Sequence, residues 1–348
     1  MKSILAITAA LSAVCALPAV AEITPHDFKV IGTWGNLESW QSLEKPFWAE
    51  SLPEATRGAL TAEAIPITEA GLKGTEVMRL VKQGVFEVAH GLGSYVASEN
   101  PAIEGVDLSS IAPDFATMHA IADAYKPEMD RIFQETYGAR ILSLHPWPAS
   151  MIYCRGPVSG ISDLAGKKIR VHSATLGDFV EGAGGVTVTL PFAEVVPALE
   201  KGVADCAITD PVSAYKASWQ EVVDYVFALP VGYSITFTAI NNSVWDKLDE
   251  ESRTALSDAL AEMESKGWQQ AEANQAIGVA CLTGEGECPW GEPGKAALTT
   301  PSSEDEAARQ KILSEFVLKR WGERCGADCA DTWNATAGKA AGLSVPKP

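Results

Sequence analysis

Apolar positions in this chain switch between strand-like and helix-like spacing, and the order of the switches is repeated. Phe28–Trp34 (FKVIGTW) reads as a first strand, apolar and ending in glycine and tryptophan. The aromatic-rich stretch Leu37–Leu52 reads as a helix, with Trp40, Leu43 and Phe47 on one face. Thr75 is placed to cap a short helix that runs to Gln83, with Glu76 in its first turn and Gly84 closing it. A strand, Val85–His90, follows; then come a helical pattern over Asp114–Phe133 and a strand over Ala139–Leu144. The second half returns to the same order. Lys168–His172 is a strand, Thr175–Ala183 a glycine-bounded helix and Val186–Thr189 a short strand; Pro191 and Phe192 lead into a helix ending at Lys201, and Val203–Ile208 is again a strand.

The repetition can be aligned. LVKQGVFEVAHG at Leu80–Gly91 echoes the helix–Lys–Gly–strand unit that ends at Asp210, with Gly84 on Gly202, Glu87 on Asp205, and Gly91–Leu92 on Thr209–Asp210. Such an echo predicts two similar sheets in an α/β fold, although one match can arise by chance from a common strand–helix–strand grammar. Beyond them, Asn242–Cys281 reads as one long helix capped by Ser243, with Leu256, Leu260 and Met263 at helical spacing, and a further helix is expected near Glu304–Gly322.

The first 21 residues fall outside this pattern. Lys2 precedes an apolar run from Ile4 to Val20, and Ala19-Val20-Ala21 forms a small-residue cleavage site. This is the pattern of a secretory signal peptide cleaved after Ala21, which predicts an exported mature chain. Removing Lys2 takes the formal charge from −18 to −19. So acidic a chain is a poor partner for nucleic acid or anionic lipid, whereas a cleft can still hold a local positive field. Export also recasts the cysteines. Cys154, Cys206, Cys281, Cys288, Cys325 and Cys329 remain after cleavage, an even set in an oxidising compartment. Cys281–Cys288 and Cys325–Cys329 are the expected bridges, with crossed pairing open, and Cys154–Cys206 requires two strands side by side. Zinc binding fits these spacings poorly, and no metal or other cofactor is expected.

One region resembles a known family. DLAGKKIRV from Asp163, LPFAEVVPALEKGVADCAITDP from Leu190, the segment from Lys216 to Tyr225, and NNSVWDKL at Asn241–Leu248 are similar to the solute receptors of TRAP transporters, the DctP-type periplasmic subunits. The resemblance covers nearly all of the mature chain. It implies a two-lobed periplasmic-binding-protein (Venus flytrap) fold with hinge strands and a long helix spanning both lobes. The expected division is 1–21 signal peptide, 22–152 plus 237–278 lobe I, and 153–236 plus 279–348 lobe II. It further implies a small organic anion held between the lobes and delivered to the small and large integral membrane subunits of a permease, by a receptor acting as a monomer. Two departures stand out: Cys206 replaces a glycine common after the strand aspartate, and the cysteine-bearing tail is longer than usual.

The resemblance also points to Arg170, matching the family's near-universal arginine that clamps a ligand carboxylate. A guanidinium offers a planar fork of donors and keeps its charge when desolvated, although a structural salt bridge is the alternative. Arg155 matches a position where some relatives make a second contact, against a solvated surface arginine. Asp210 falls on a variable cleft position, where a carboxylate hints at a ligand bearing a donor. Trp34 and Asn36 follow the first strand and Gly91 to Ser94 the echoing one. Trp147 and Phe237 lie near the two crossings and Phe192 precedes a helix; these aromatics are candidate walls for an apolar or aromatic acid, or else core residues. His172 and Ser173, next along the arginine strand, complete the candidates. No catalytic residues are assigned: the chain has no G-x-S-x-G elbow, H-E-x-x-H or Walker loop. A receptor for an ATP-driven importer, a sensory module for an organic anion and an exported enzyme acting on an acid remain as alternatives.

Overall fold

The computed structural model describes residues 23–346, so the expected signal segment lies outside the described residues. Eleven strands occur among them: β1 (His26–Gly32), β2 (Leu60–Pro66), β3 (Val88–Leu92), β4 (Ala139–Pro146), β5 (Ser150–Cys154), β6 (Lys168–Val171), β7 (Val186–Thr189), β8 (Cys206–Thr209), β9 (Tyr225–Gly232), β10 (Ile235–Asn241) and β11 (Ala297–Thr299). They form two sheets, ordered β2-β1-β3-β10-β4 and β11-β9-β5-β8-β6-β7. The first sheet centres lobe I and the second lobe II.

The two sheets share one plan. In lobe I, β1 pairs in parallel with β2 and β3, and β3 meets β10 antiparallel. In lobe II, β6 pairs in parallel with β7 and β8, and β8 meets β5 antiparallel. The aligned glycines both adopt left-handed backbone, φ 74° at Gly84 and 68° at Gly202, and close their helices in the same way. Glu87 N donates to Lys29 O at 2.8 Å, and Asp205 N donates to Lys168 O at 2.8 Å. Their carboxylates accept in return from Lys29 N (3.3 Å) and Lys168 N (2.8 Å). The carboxylates thus anchor each strand start, so the ladders begin three residues later than apolar patterning alone predicts, at Val88 and Cys206.

The chain crosses between sheets twice, from β4 to β5 and from β9 to β10. The crossings are tied together where Trp147 N donates to Ser234 O at 2.8 Å. They therefore lie at 147–149 and 233–234, a few residues before the expected boundaries, because all of β5 and β10 is paired within its own sheet. Helix Phe115–Tyr137 covers lobe I with Met118, Ile121, Ala122, Tyr125, Met129, Ile132 and Phe133 buried at helical spacing. Each large apolar side chain so buried contributes about 1.5–3 kcal/mol. Asp114 caps it through Thr117 N at 2.7 Å.

The long helix runs Glu250–Thr283 and is capped by Asp249, not Ser243, with Oδ1 accepting from Ser252 N at 2.7 Å. A separate turn, Asn242–Trp245, carries the Ser243 segment, where Asn241 is the cap. The helix spans both lobes. Gly267 passes so close to His145 of β4 that a Cβ would sit 2.8 Å from its ring, and Gly278 has the same clearance from Val212 N of lobe II. The tail corrects the expectation that everything after 279 belongs to lobe II. β11 joins the lobe II sheet beside β9, but Trp321 Nε1 and Trp333 Nε1 donate to Pro101 O and Gly105 O of lobe I at 2.9 and 2.7 Å. Arg324 returns to lobe II, pairing with Asp178 at 2.6 Å. The bridges Cys154–Cys206, Cys281–Cys288 and Cys325–Cys329 are all formed. No described helix is long and apolar enough to cross a membrane.

Candidate functional site

Arg170 lies at the third residue of β6, 0% exposed, beside the interlobe cleft. Its Nε and Nη2 donate to Leu190 O at 3.0 and 2.9 Å, and Nη1 donates to Ile208 O at 3.2 Å. Nη2 also reaches across the lobes to Tyr95 Oη at 3.4 Å. A guanidinium has five N–H donors, so these four hydrogen bonds leave one N–H on Nη1. Every partner is neutral, and burial pushes the guanidinium below its ordinary pKa. A buried cation without a counter-ion is costly, whereas an anion at the open end of the fork would repay the desolvation.

The surroundings are aromatic. The Arg170 guanidinium lies over the Phe192 ring at 5.9 Å. Trp34 meets Tyr95, Trp147 and Phe192 with ring centroids 5.1, 5.9 and 6.0 Å apart, all edge-on. Phe192 stacks on Trp219 at 5.7 Å, and Tyr95 stacks on His172 at 6.1 Å. Trp34 and Tyr95 come from lobe I, Trp147 from the crossing, and Phe192 and Trp219 from lobe II, so the cluster exists only with both lobes together. A cleft of about 470 Å³ opens beside it, lined by Ser94, Tyr95, His172, Ser173 and Leu190 among others. Thr75 also lines this cleft and makes no helix cap; its helix is Val77–Lys82.

The remaining polar candidates divide. Ser94 Oγ is buried without a partner beside the cleft. His172 Nε2 shares a hydrogen bond with Ser234 Oγ at 3.3 Å; burial and the neighbouring Arg170 charge push it down to about 3, so the ring is neutral. Ser173 caps helix Ala174–Gly182 through Leu176 N at 3.1 Å. Asp210 caps the turn Pro211–Lys216, Oδ1 accepting from Ser213 N at 2.8 Å, while Oδ2 is buried and unpartnered. Burial raises Asp210 to about 6.

Three candidates are not assembled into the site. Arg155 is exposed, and its Nη1 donates to Leu199 O at 2.8 Å. β5 enters lobe II at its Ser150 end, so five residues of strand carry Arg155 roughly 16 Å from the crossing. Phe237 is fully buried in the core against Phe133, with ring centroids 4.9 Å apart. It pairs with Gly91, where an added Cβ would lie 2.8 Å from its ring, so the absent side chain of Gly91 accommodates Phe237. Asn36 is exposed on the loop beyond Trp34. Tyr95 and Trp219 escaped the sequence analysis. Tyr95 follows the Gly91–Ser94 loop by one residue, a signal that was available; nothing local marks Trp219. Among the described residues no group of acidic, histidine or cysteine side chains is arranged to hold a metal.

Known proteins share this fold. Over 275 residues the chain is 24% identical to the C4-dicarboxylate-binding periplasmic protein DctP of Rhodobacter capsulatus, covering 78% of this chain and 80% of that protein. DctP7 of Bordetella pertussis, an extracytoplasmic solute receptor binding pyroglutamic acid, superimposes with TM-score 0.76 and 25% identity over 89% of this chain and 99% of its own. A TRAP periplasmic solute binding protein from Desulfovibrio salexigens, solved with orotic acid, gives TM-score 0.80 at 18% identity, covering 91% and 98%. Residues 33–287 match the family DctP, and the chain therefore belongs to bacterial extracellular solute-binding protein family 7.

Proposed function

We propose that this receptor captures a small organic acid in its interlobe cleft, with Arg170 clamping the carboxylate, and hands it to the small and large membrane subunits of a TRAP-type permease. The observation that carries the reading is the buried Arg170 charge with only neutral partners. The free N–H on Nη1 and the long Nη2–Tyr95 bond lie at the fork's open end. A carboxylate takes the first and displaces the second, giving the two parallel charge-assisted bonds that fix orientation. Trp34, Tyr95 and Phe192 then cover the body of the acid and exclude water. The relatives solved with pyroglutamic acid, orotic acid, malonate, β-D-galacturonate and galactonate support a small organic acid. The ligand is bound without turnover by a monomer in the periplasm.

Binding at Arg170 and closure of Trp34 over it belong to different lobes, so ligand favours the closed form by its differential affinity for that state. A thermal-shift screen of organic acids should find stabilising ligands. Calorimetry should then show their binding lost in Arg170→Ala while the unliganded variant stays folded. Unchanged affinity in that variant would remove the clamp from the account.

A further inference from the structure

The tail past residue 287, outside the stretch that matches the family, binds both lobes. Its first half belongs to lobe II. β11 lies beside β9, Asp305 Oδ1 accepts from Ile161 N at 2.7 Å, and a Cβ at Gly182 would lie 2.7 Å from Ile312 and 3.0 Å from Phe316. The second half belongs to lobe I. The buried rings of Trp321 and Trp333 lie 5.8 Å apart and donate to Pro101 O and Gly105 O, and Val345 folds back onto Gly322. Between the halves the helix widens over Leu313–Val317, where Leu318 N donates to Leu313 O, an irregularity frequent at functional sites. The chain therefore crosses between the lobes once more, at Val317–Leu318.

Two arginines on the lobe I half reach back to lobe II. Arg324 Nη2 and Nη1 donate to Asp178 Oδ2 and Oδ1 at 2.6 and 3.2 Å, and Arg320 pairs with Glu181 and, at 3.5 Å, with Asp178. Asp178 and Glu181 lie on helix Ala174–Gly182, which follows the Arg170 strand. At its start Ala174 N donates to Glu104 Oε1 of lobe I at 2.9 Å. Arg324, Glu104 and Ala174 all line the cleft of about 470 Å³, so these contacts bar its mouth. The Asp178 side chain is 7% exposed; losing its arginines would leave a buried carboxylate unpaired. Two other ion pairs join the lobes, Lys73–Glu194 and Lys216–Glu38, at 2.8 Å each. The first is isolated and exposed on both sides, so it contributes little.

We infer that Arg320 and Arg324 are positioning residues for ligand capture: carried on lobe I, they clasp the helix after the Arg170 strand and hold the lobes closed at the cleft mouth. Opening breaks the ionic contacts and leaves both tryptophans seated on lobe I, because burial of two indole rings outweighs pairs made by partly exposed arginines. The clasp sets the balance between open and closed receptor, and the ligand supplies only the remaining preference for the closed form. The inference rests on closure between the lobes, as in the proposed function, and neither on the clamp nor on which acid is bound.

The test is small-angle X-ray scattering and amide hydrogen exchange on the ligand-free protein, comparing wild type with Arg320→Gln/Arg324→Gln, Asp178→Asn and Lys73→Gln. Ala174 N belongs to the first turn of its helix and has no intrahelical partner, so its protection reports the contact between lobes. In the double arginine variant its exchange should speed up by about tenfold, between the effects of exposed and of buried ion pairs, and the radius of gyration should rise. Asp178→Asn leaves the tail unchanged and should act in the same direction. Lys73→Gln removes an interlobe charge at an exposed site and should leave both readouts at wild-type values. Melting temperatures check each fold, and if the arginine variant does not fold, Asp178→Asn decides. Unchanged Ala174 exchange and scattering in the deciding variant overturn the clasp, as does equal opening by Lys73→Gln. Calorimetry of Arg170→Ala decides the clamp separately, so either reading can fail alone.

Discussion

Lobes I and II place matching hydrogen bonds at matching positions and then part company at a few side chains. Lys29 and Lys168 hold the same role, so Ile31 occupies in β1 the place of Arg170 in β6; Ile31 pairs with Ala89 as Arg170 pairs with Ala207. Val88 faces Ile240 where Cys206 faces Cys154. Leu92 ends the strand unit where Asp210 does in lobe II. One scaffold thus carries two chemistries. Lobe II holds the cation, the carboxylate and the disulfide. Lobe I holds apolar residues at those registers and contributes Trp34 and Tyr95 instead. On the proposed function, charge recognition is concentrated in one lobe, and the other supplies the apolar cover.

The hardest blow to this division is a paired substitution at the matching register. Arg170→Ala should cost on the order of a hundredfold or more in acid affinity, as for truncation of a buried charge partner. Ile31→Ala should cost about 2–5 kcal/mol of stability through its cavity, while affinity in the folded protein changes little. Calorimetry and urea unfolding on both variants decide. Equal losses of affinity would mean that the lobes share recognition.

The disulfide contrast comes next. Cys154–Cys206 closes a loop with a sequence separation of 52, for which the chain-entropy account gives about 4 kcal/mol. Replacing it by the apolar pair of lobe I, Cys154→Ile with Cys206→Val, should lower the unfolding free energy measured in urea by up to that amount and leave ligand binding in place. A variant that no longer folds would show that the apolar register of lobe I is not transferable.

A smaller effect separates the lobes by pH. Asp107, in lobe I, accepts from Ile235 N at the return crossing at 2.9 Å, and burial raises it to about 8. Because its folded pKa lies above the unfolded value of about 4, its titration contributes stability fully below that value, lost as pH rises through about 8. The melting temperature of wild type should therefore fall between pH 6 and 9, and that of Asp107→Asn should fall less. Parallel pH profiles would exclude this group as the cause.

The smallest effect should be equal in both lobes. A Cβ at Gly84 or Gly202 meets nothing within 4 Å, so alanine at either site costs only its left-handed backbone, about 1 kcal/mol. Matched shifts in unfolding midpoint support equivalent scaffolds; a shift at one site alone breaks the equivalence.

Much of this was legible in the chain. The Gly84/Gly202 and Glu87/Asp205 alignment was visible because a left-handed turn demands glycine and a strand start recruits a carboxylate, both local requirements. Arg170 was legible because its strand neighbours are distinctive. Arg155 and Phe237 misled because proximity to a crossing in sequence says nothing about which way the strand then runs. Tyr95 and Trp219 went unread: a single aromatic looks the same in a core and in a cleft.

Local chemistry in the sequence therefore settled the repeated α/β plan and the family and singled out the arginine, since propensities, turn residues and cysteine positions act over a few residues. Assembly of the aromatic cluster from three regions, the tail that returns from lobe II to lobe I, and the meeting of Arg320 and Arg324 with Glu181 and Asp178 were decided only in three dimensions. Those contacts join residues far apart in the chain, and their geometry depends on how two sheets and a 34-residue helix pack together.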